Sequence, residues 1–112
     1  MNGIPELFVS NTLVGAVFLA LSIPLVKNSV KMNYFYGVRI KKAFESEENW
    51  YKINNFAGKR LILWSIILMC IGVLNYFINI NKNSFLFDIF VLAPGIIIIP
   101  WLVEIYVFAN KL

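Results

Sequence analysis

The sequence predicts an all-α integral membrane protein with three transmembrane helices and an amphipathic cytoplasmic helix between the first and second. Three observations carry this expectation. The chain is 60% hydrophobic and only 14% charged, against roughly 25% charged in an ordinary soluble domain. A chain of 112 residues leaves much of its surface exposed, so this apolar excess cannot be hidden in a core and must face lipid. Finally, the apolar residues fall into three stretches, each near the ~20 residues that an α-helix needs to cross a bilayer core of ~30 Å. One domain, residues 1–112, accommodates all three.

The first span is expected over residues 4–26. It lacks the basic start and small-residue cleavage site of a signal peptide, and its apolar part is too long for one. Pro24 falls in its last turn, where a missing backbone N–H is best tolerated. Ala16 and Ala20 give it a weak small-xxx-small face for packing. The second span, residues 61–80, is interrupted by Ser65 and, near its end, by Asn75 and Asn79. Asn81 to Ser84 then form a tight turn. The third span, residues 85–108, carries Pro94, Gly95 and Pro100, which should kink it unless neighbouring helices supply donors to the freed carbonyls.

Eight of the ten basic residues lie in the connection 27–60: Lys27, Lys31, Arg39, Lys41, Lys42, Lys52, Lys59 and Arg60. Positively charged loops stay in the cytoplasm, so this connection is expected inside, the N-terminus outside and the C-terminus inside. Basic residues set between apolar runs do not make the basic face that nucleic acid requires. Lys41, Lys42, Lys59 and Arg60 are expected to touch anionic lipid.

The connection is longer than the joining of two helices requires. Ser46 followed by Glu47 and Glu48 is a helix start, since a serine side chain accepts from a free backbone N–H and early carboxylates suit the positive helix end. Beyond it Trp50, Ile53, Asn54, Ala57, Gly58 and Leu61 share one helical face. A short amphipathic helix at 47–58 is therefore expected near the inner leaflet, bent at Gly58 or running straight into the second span. Ahead of it stands Asn33-Tyr34-Phe35-Tyr36-Gly37-Val38-Arg39, a turn whose aromatics suit the headgroup zone.

These two pieces, with Asn33, Tyr36-Gly37-Val38-Arg39, Ser46-Glu47-Glu48, Trp50, Asn54 and Gly58 in order, resemble the signature of the SdpI family of bacterial membrane proteins. Met32 and Ile40 depart from it where the family often has Pro and Thr. The resemblance implies a multi-pass protein of the bacterial cytoplasmic membrane, with immunity to a membrane-active, hydrophobic peptide toxin and retention of a cytoplasmic regulator. Its implied site comprises Asn33, Tyr36, Gly37, Arg39, Trp50, Asn54 and Gly58.

Chemistry narrows the remaining options. There is no His, and Cys70 is the single cysteine, so metal and disulfide readings have too few ligands. No nucleophile–base set or phosphate loop can be assembled, and neither an enzyme nor a cofactor is expected. Asp88 and Glu104 lie roughly 24 Å apart along one helix, too far for a catalytic pair. A guanidinium at the interface can hold an anion through two parallel bonds. Glu104, at the depth of Arg39 and Arg60, is thus expected to pair with one of those arginines, Arg39 preferred, and Arg39 to meet Trp50, Asn54 and Asn33 in a polar-aromatic corner. The alternatives to immunity are a small lipid-binding or transport-related subunit and a packing partner in a larger complex.

Overall fold

The computed structural model describes residues 5–112; Ile4, expected to open the first span, lies outside them. Among the described residues there are five helices and no strand: α1 (Glu6–Val26), α2 (Lys41–Phe44), α3 (Glu47–Phe77), α4 (Phe85–Val91) and α5 (Ala93–Ala109). They form a rod of 53 × 24 × 20 Å, longer than an apolar bilayer core of about 30 Å, so one end stands clear of it. Both α1 and α3 are long and apolar enough to cross a membrane, and α4 with α5 meets the same test as a pair bent by 58°.

The antiparallel α1–α3 pair is the spine. Lipid tails are as apolar as leucine, so helices in a membrane associate through close backbone approach rather than through the hydrophobic effect. Accordingly the buried positions of α3 run Gly58, Leu61, Ser65, Leu68, Gly72 and Asn75, with the small residues seven apart. A Cβ at Gly72 would lie 2.8 Å from the Thr12 nitrogen, one at Gly58 would lie 3.0 Å from the Ser22 carbonyl, and one at Gly15 would lie 3.1 Å from the Ser65 carbonyl. The Ser22 and Ser65 hydroxyls, buried in this seam, donate to the carbonyls of Leu19 and Leu61 in their own helices. The small face expected at Ala16 and Ala20 is not used: both are exposed.

Of the two courses expected for residues 47–58 the chain takes the straight one: they are the opening third of α3, which continues without a break through Gly58. Ser46 caps it as expected, its Oγ accepting from the Asn49 amide at 3.0 Å. The apolar face of this segment packs against the connection and α5, through Val38, Ala43, Ile105 and Ala109, rather than on a leaflet. Protein contacts on both sides hold it collinear with the span. At the other end α3 stops at Phe77, where Ile78 turns extended, short of the expected Ile80.

The stretch expected as the third span is broken at Leu92, between α4 and α5. Pro94 has no N–H, so the Phe90 carbonyl four residues earlier loses its helical donor. Asn11 of α1 supplies the replacement, its Nδ2 donating to Phe90 O at 3.2 Å and to Asn75 Oδ1 of α3 at 2.9 Å. One buried amide thereby ties three chain segments together. Interhelical hydrogen bonds in membranes contribute about 0.6–1.7 kcal/mol. Asn11→Leu should therefore lower unfolding stability in micelles by about 1–2 kcal/mol. The loss should shrink in a Pro94→Ala background, where the helix regains its own donor. Equal losses in the two backgrounds would show that the Phe90 carbonyl is not what Asn11 serves.

Candidate functional site

The connection between α1 and α3 folds as a collar on the free end of α3. It starts with a reversal after Val26: the Ser29 amide and hydroxyl both donate to Pro24 O. Asn55 of α3 donates to Val26 O at 2.7 Å, capping a carbonyl at the end of α1. The fully buried Trp50 then donates its indole N–H to Val30 O at 2.8 Å, pinning the chain as it climbs.

Asn33 closes the next turn, accepting from the amides of Phe35 (2.8 Å) and Tyr36 (2.7 Å) and donating to Lys31 O (2.7 Å). Asparagine does this because its short amide mimics a backbone turn. The Tyr36 hydroxyl reaches down to donate to Leu21 O in α1, and burial pushes its pKa above the usual phenol value. Gly37 follows with φ +110°, in the half of the map closed to most side chains. A Cβ there would lie 2.8 Å from Asn54 Oδ1 and 3.1 Å from the Trp50 ring.

Asn54 is the centre of the collar. Buried in α3, it accepts from the Val38 amide at 2.6 Å and donates to Trp50 O at 3.0 Å and Val38 O at 3.4 Å. The backbone of the connection is thus read by one side chain as a strand neighbour would read it. Around it Val38, Ala43, Trp50, Ile53, Ala57, Ile105 and Ala109 make a core that includes the end of α5, and Trp101 of α5 donates to Ala57 O at 3.0 Å. Gly58 sits one turn on, where it lets the last turn of α1 approach.

The expected site residues therefore divide. Trp50, Asn54 and Gly37 meet; Asn33 and Arg39 do not join them. Asn33 serves its own turn, and Arg39, exposed, curls back to donate to Tyr34 O at 2.6 Å. What the collar presents outward is Tyr34, 76% exposed, and Phe35, 90% exposed, beside the exposed Lys31, Arg39 and Lys41. Among the described residues no three His, Cys, Asp or Glu side chains gather as a metal site.

Nor does Arg39 pair with Glu104. The Glu104 carboxylate accepts from Arg60 Nη2 at 2.5 Å and from Trp64 Nε1 at 2.7 Å. Arg60 and Trp64 stand one turn apart on α3 and face α5, so they reach Glu104 first. The four-residue spacing of an arginine and a tryptophan at the depth of Glu104 was the available signal, and it points to Arg60. The pair is partly wet, with 35% and 27% of its side chains exposed, so a charge-assisted bond of ~1.5–3 kcal/mol is reduced. A double-mutant cycle on Arg60→Gln and Glu104→Gln should give a coupling of about 1–2 kcal/mol. Arg39→Gln, by contrast, should change stability by less than ~0.5 kcal/mol. Coupling between Arg39 and Glu104 of similar size would restore the expected pairing.

Nothing among curated proteins and nothing among solved structures matches the chain. A family model does: that of the SdpI/YfhL protein family matches residues 29–104. This stretch begins at the reversal after α1, takes in the collar and all of α3, and ends at the carboxylate that Arg60 and Trp64 hold. It covers more than half of the chain, and the chain belongs to the SdpI/YfhL protein family.

Proposed function

We propose that this protein is an immunity factor of the bacterial cytoplasmic membrane, protecting the cell that makes it from a membrane-active peptide and signalling through a cytoplasmic regulator. Its N-terminus lies outside, its collar and C-terminus inside, and α4 with α5 crosses as a bent third span. It acts by binding, with no catalytic step. One observation carries the reading: the collar is a folded, basic platform whose two most outward aromatic side chains are Phe35, which serves no contact in the core, and Tyr34, which touches it only by stacking one face on Phe44 with ring centroids 5.3 Å apart. Asn33 and Arg39 hold that turn rigid, which spares a partner the cost of ordering it. Family membership supports the same role.

Expression in a sensitive bacterium, challenged with secreted membrane-active peptides beginning with any encoded beside the gene, tests the proposal. Survival should rise with the parent chain. Tyr34→Ala with Phe35→Ala should keep protection but lose membrane retention of the regulator. A chain that accumulates and gives no protection overturns the immunity reading. Topology is tested separately in a Cys70→Ser background: an impermeant thiol reagent applied from outside should label Asn83→Cys and spare Lys42→Cys. The reverse pattern would invert the orientation.

A further inference from the structure

At the end of the rod opposite the collar, a cleft of about 420 Å³ opens between the start of α1 and the turn after α3. Its walls include Leu7, Tyr76, Phe77 and Phe87, its floor is Asn75, and Glu6 and Lys82 stand on its rim. Three features specify an occupant. Asn75 is 4% exposed, and its Oδ1 already accepts from Asn11. Its Nδ2 makes no hydrogen bond among the described residues; Asn11 Oδ1 behind it is also unpaired but does not line the cleft, so what the floor presents to an occupant is a donor. An ester carbonyl, an acceptor without an N–H, answers that better than an amide does.

The rim carries both signs. Glu6 and Lys82 lie 3.1 Å apart and are 69% and 65% exposed, so each retains free valence toward a headgroup. They match a phosphate and an ammonium held a few atoms apart in one molecule. Aromatic and aliphatic walls below such a rim suit the zone where lipid changes from headgroup to acyl chain. The floor lies two residues, about 3 Å along the axis, before the end of α3, so an occupant that reaches it passes below the rim charges.

We propose that this cleft holds one phospholipid with a zwitterionic, amine-bearing headgroup. Lys82 takes the phosphate, Glu6 the ammonium, and Asn75 Nδ2 an ester carbonyl, while an acyl chain follows Leu7 and Phe87. The site is distinct from the collar and does not depend on a toxin.

Native mass spectrometry of the purified protein, titrated with dioleoyl phosphatidylethanolamine or dioleoyl phosphatidylglycerol, reads the site directly. One charge near a headgroup surface is equivalent to about a fivefold change in binding. The ethanolamine lipid should bind about fivefold tighter than the glycerol lipid. Glu6→Gln should abolish that preference, and Lys82→Gln should weaken both lipids by a similar factor. Both residues are surface groups whose loss leaves the helices intact, and Asn75→Leu adds the test of the floor, with thermal unfolding followed alongside. Equal binding of the two lipids, insensitivity to both rim variants, or retention of a peptide in place of lipid would each overturn the proposal.

Discussion

Trp50→Ala is expected to release the collar, lowering stability by about 3–5 kcal/mol, the range for truncating a fully buried aromatic side chain. Trp50 is completely buried, packs against Phe44 with ring centroids 5.5 Å apart, and is the donor to Val30 O. Its removal leaves a cavity and an unpaired carbonyl together. On the proposed topology the segment it holds lies in the cytoplasm, where water gains access and the ordinary hydrophobic cost applies. Trp50→Phe separates the two losses: it keeps most of the volume and drops the indole N–H, and should cost about 1–2 kcal/mol. Hydrogen exchange at Val38 and tryptic cleavage after Arg39 and Lys41 measure the release. In Trp50→Ala both should accelerate while the amides of α1 stay protected. A collar that stays protected would mean that Asn54 alone suffices to hold it.

Gly37→Val has the second largest expected effect, about 3–4 kcal/mol, because two independent penalties coincide. The φ of +110° is a conformation in which a β-branched residue costs roughly 1–3 kcal/mol. The added side chain also displaces Asn54 from 2.8 Å, so the Val38 amide loses its acceptor, a further cost of about 1–3 kcal/mol. Gly37→Ala meets the same atoms with less bulk and should fall between Val and the parent. Unfolding in micelles checks the order Gly, Ala, Val. If Ala matched Gly, the positive φ would not be a requirement of the fold.

The sequence carried the long apolar helices, the Ser46 cap and the signature, though not the short α2, because each rests on local chemistry: hydrophobic length, a serine before two glutamates, a glycine after an aromatic turn. What it did not carry was partner choice across the fold. Arg39 and Arg60 are both basic residues at one interface, and locally only the tryptophan four residues after Arg60 separates them. Only the register of α3 on α5 decides that Arg60 and Trp64 face Glu104. Asn11 was silent for the same reason. A polar residue in an apolar run has no visible purpose until Pro94, far along the chain, is brought beside it with a stranded carbonyl. The signature residues likewise were legible as a set, but their work is mostly to bind backbone: Asn33, Tyr36, Trp50 and Asn54 all place donors on main-chain carbonyls.

The continuity of α3 through Gly58 has a mechanical meaning. From Trp50 to Phe77 the helix is a single stiff arm of about 40 Å at 1.5 Å per residue. The cleft touches one tip of that arm, through Asn75, Tyr76 and Phe77, and the collar grips the other. A tilt of about 10° about the cleft end carries the collar end sideways by about 7 Å, by the lever geometry of a rod of that length. A hinge at Gly58 would have absorbed such a motion. With the glycine instead clamped against the last turn of α1, the helix has no joint there to absorb a displacement at the cleft end before it reaches the collar.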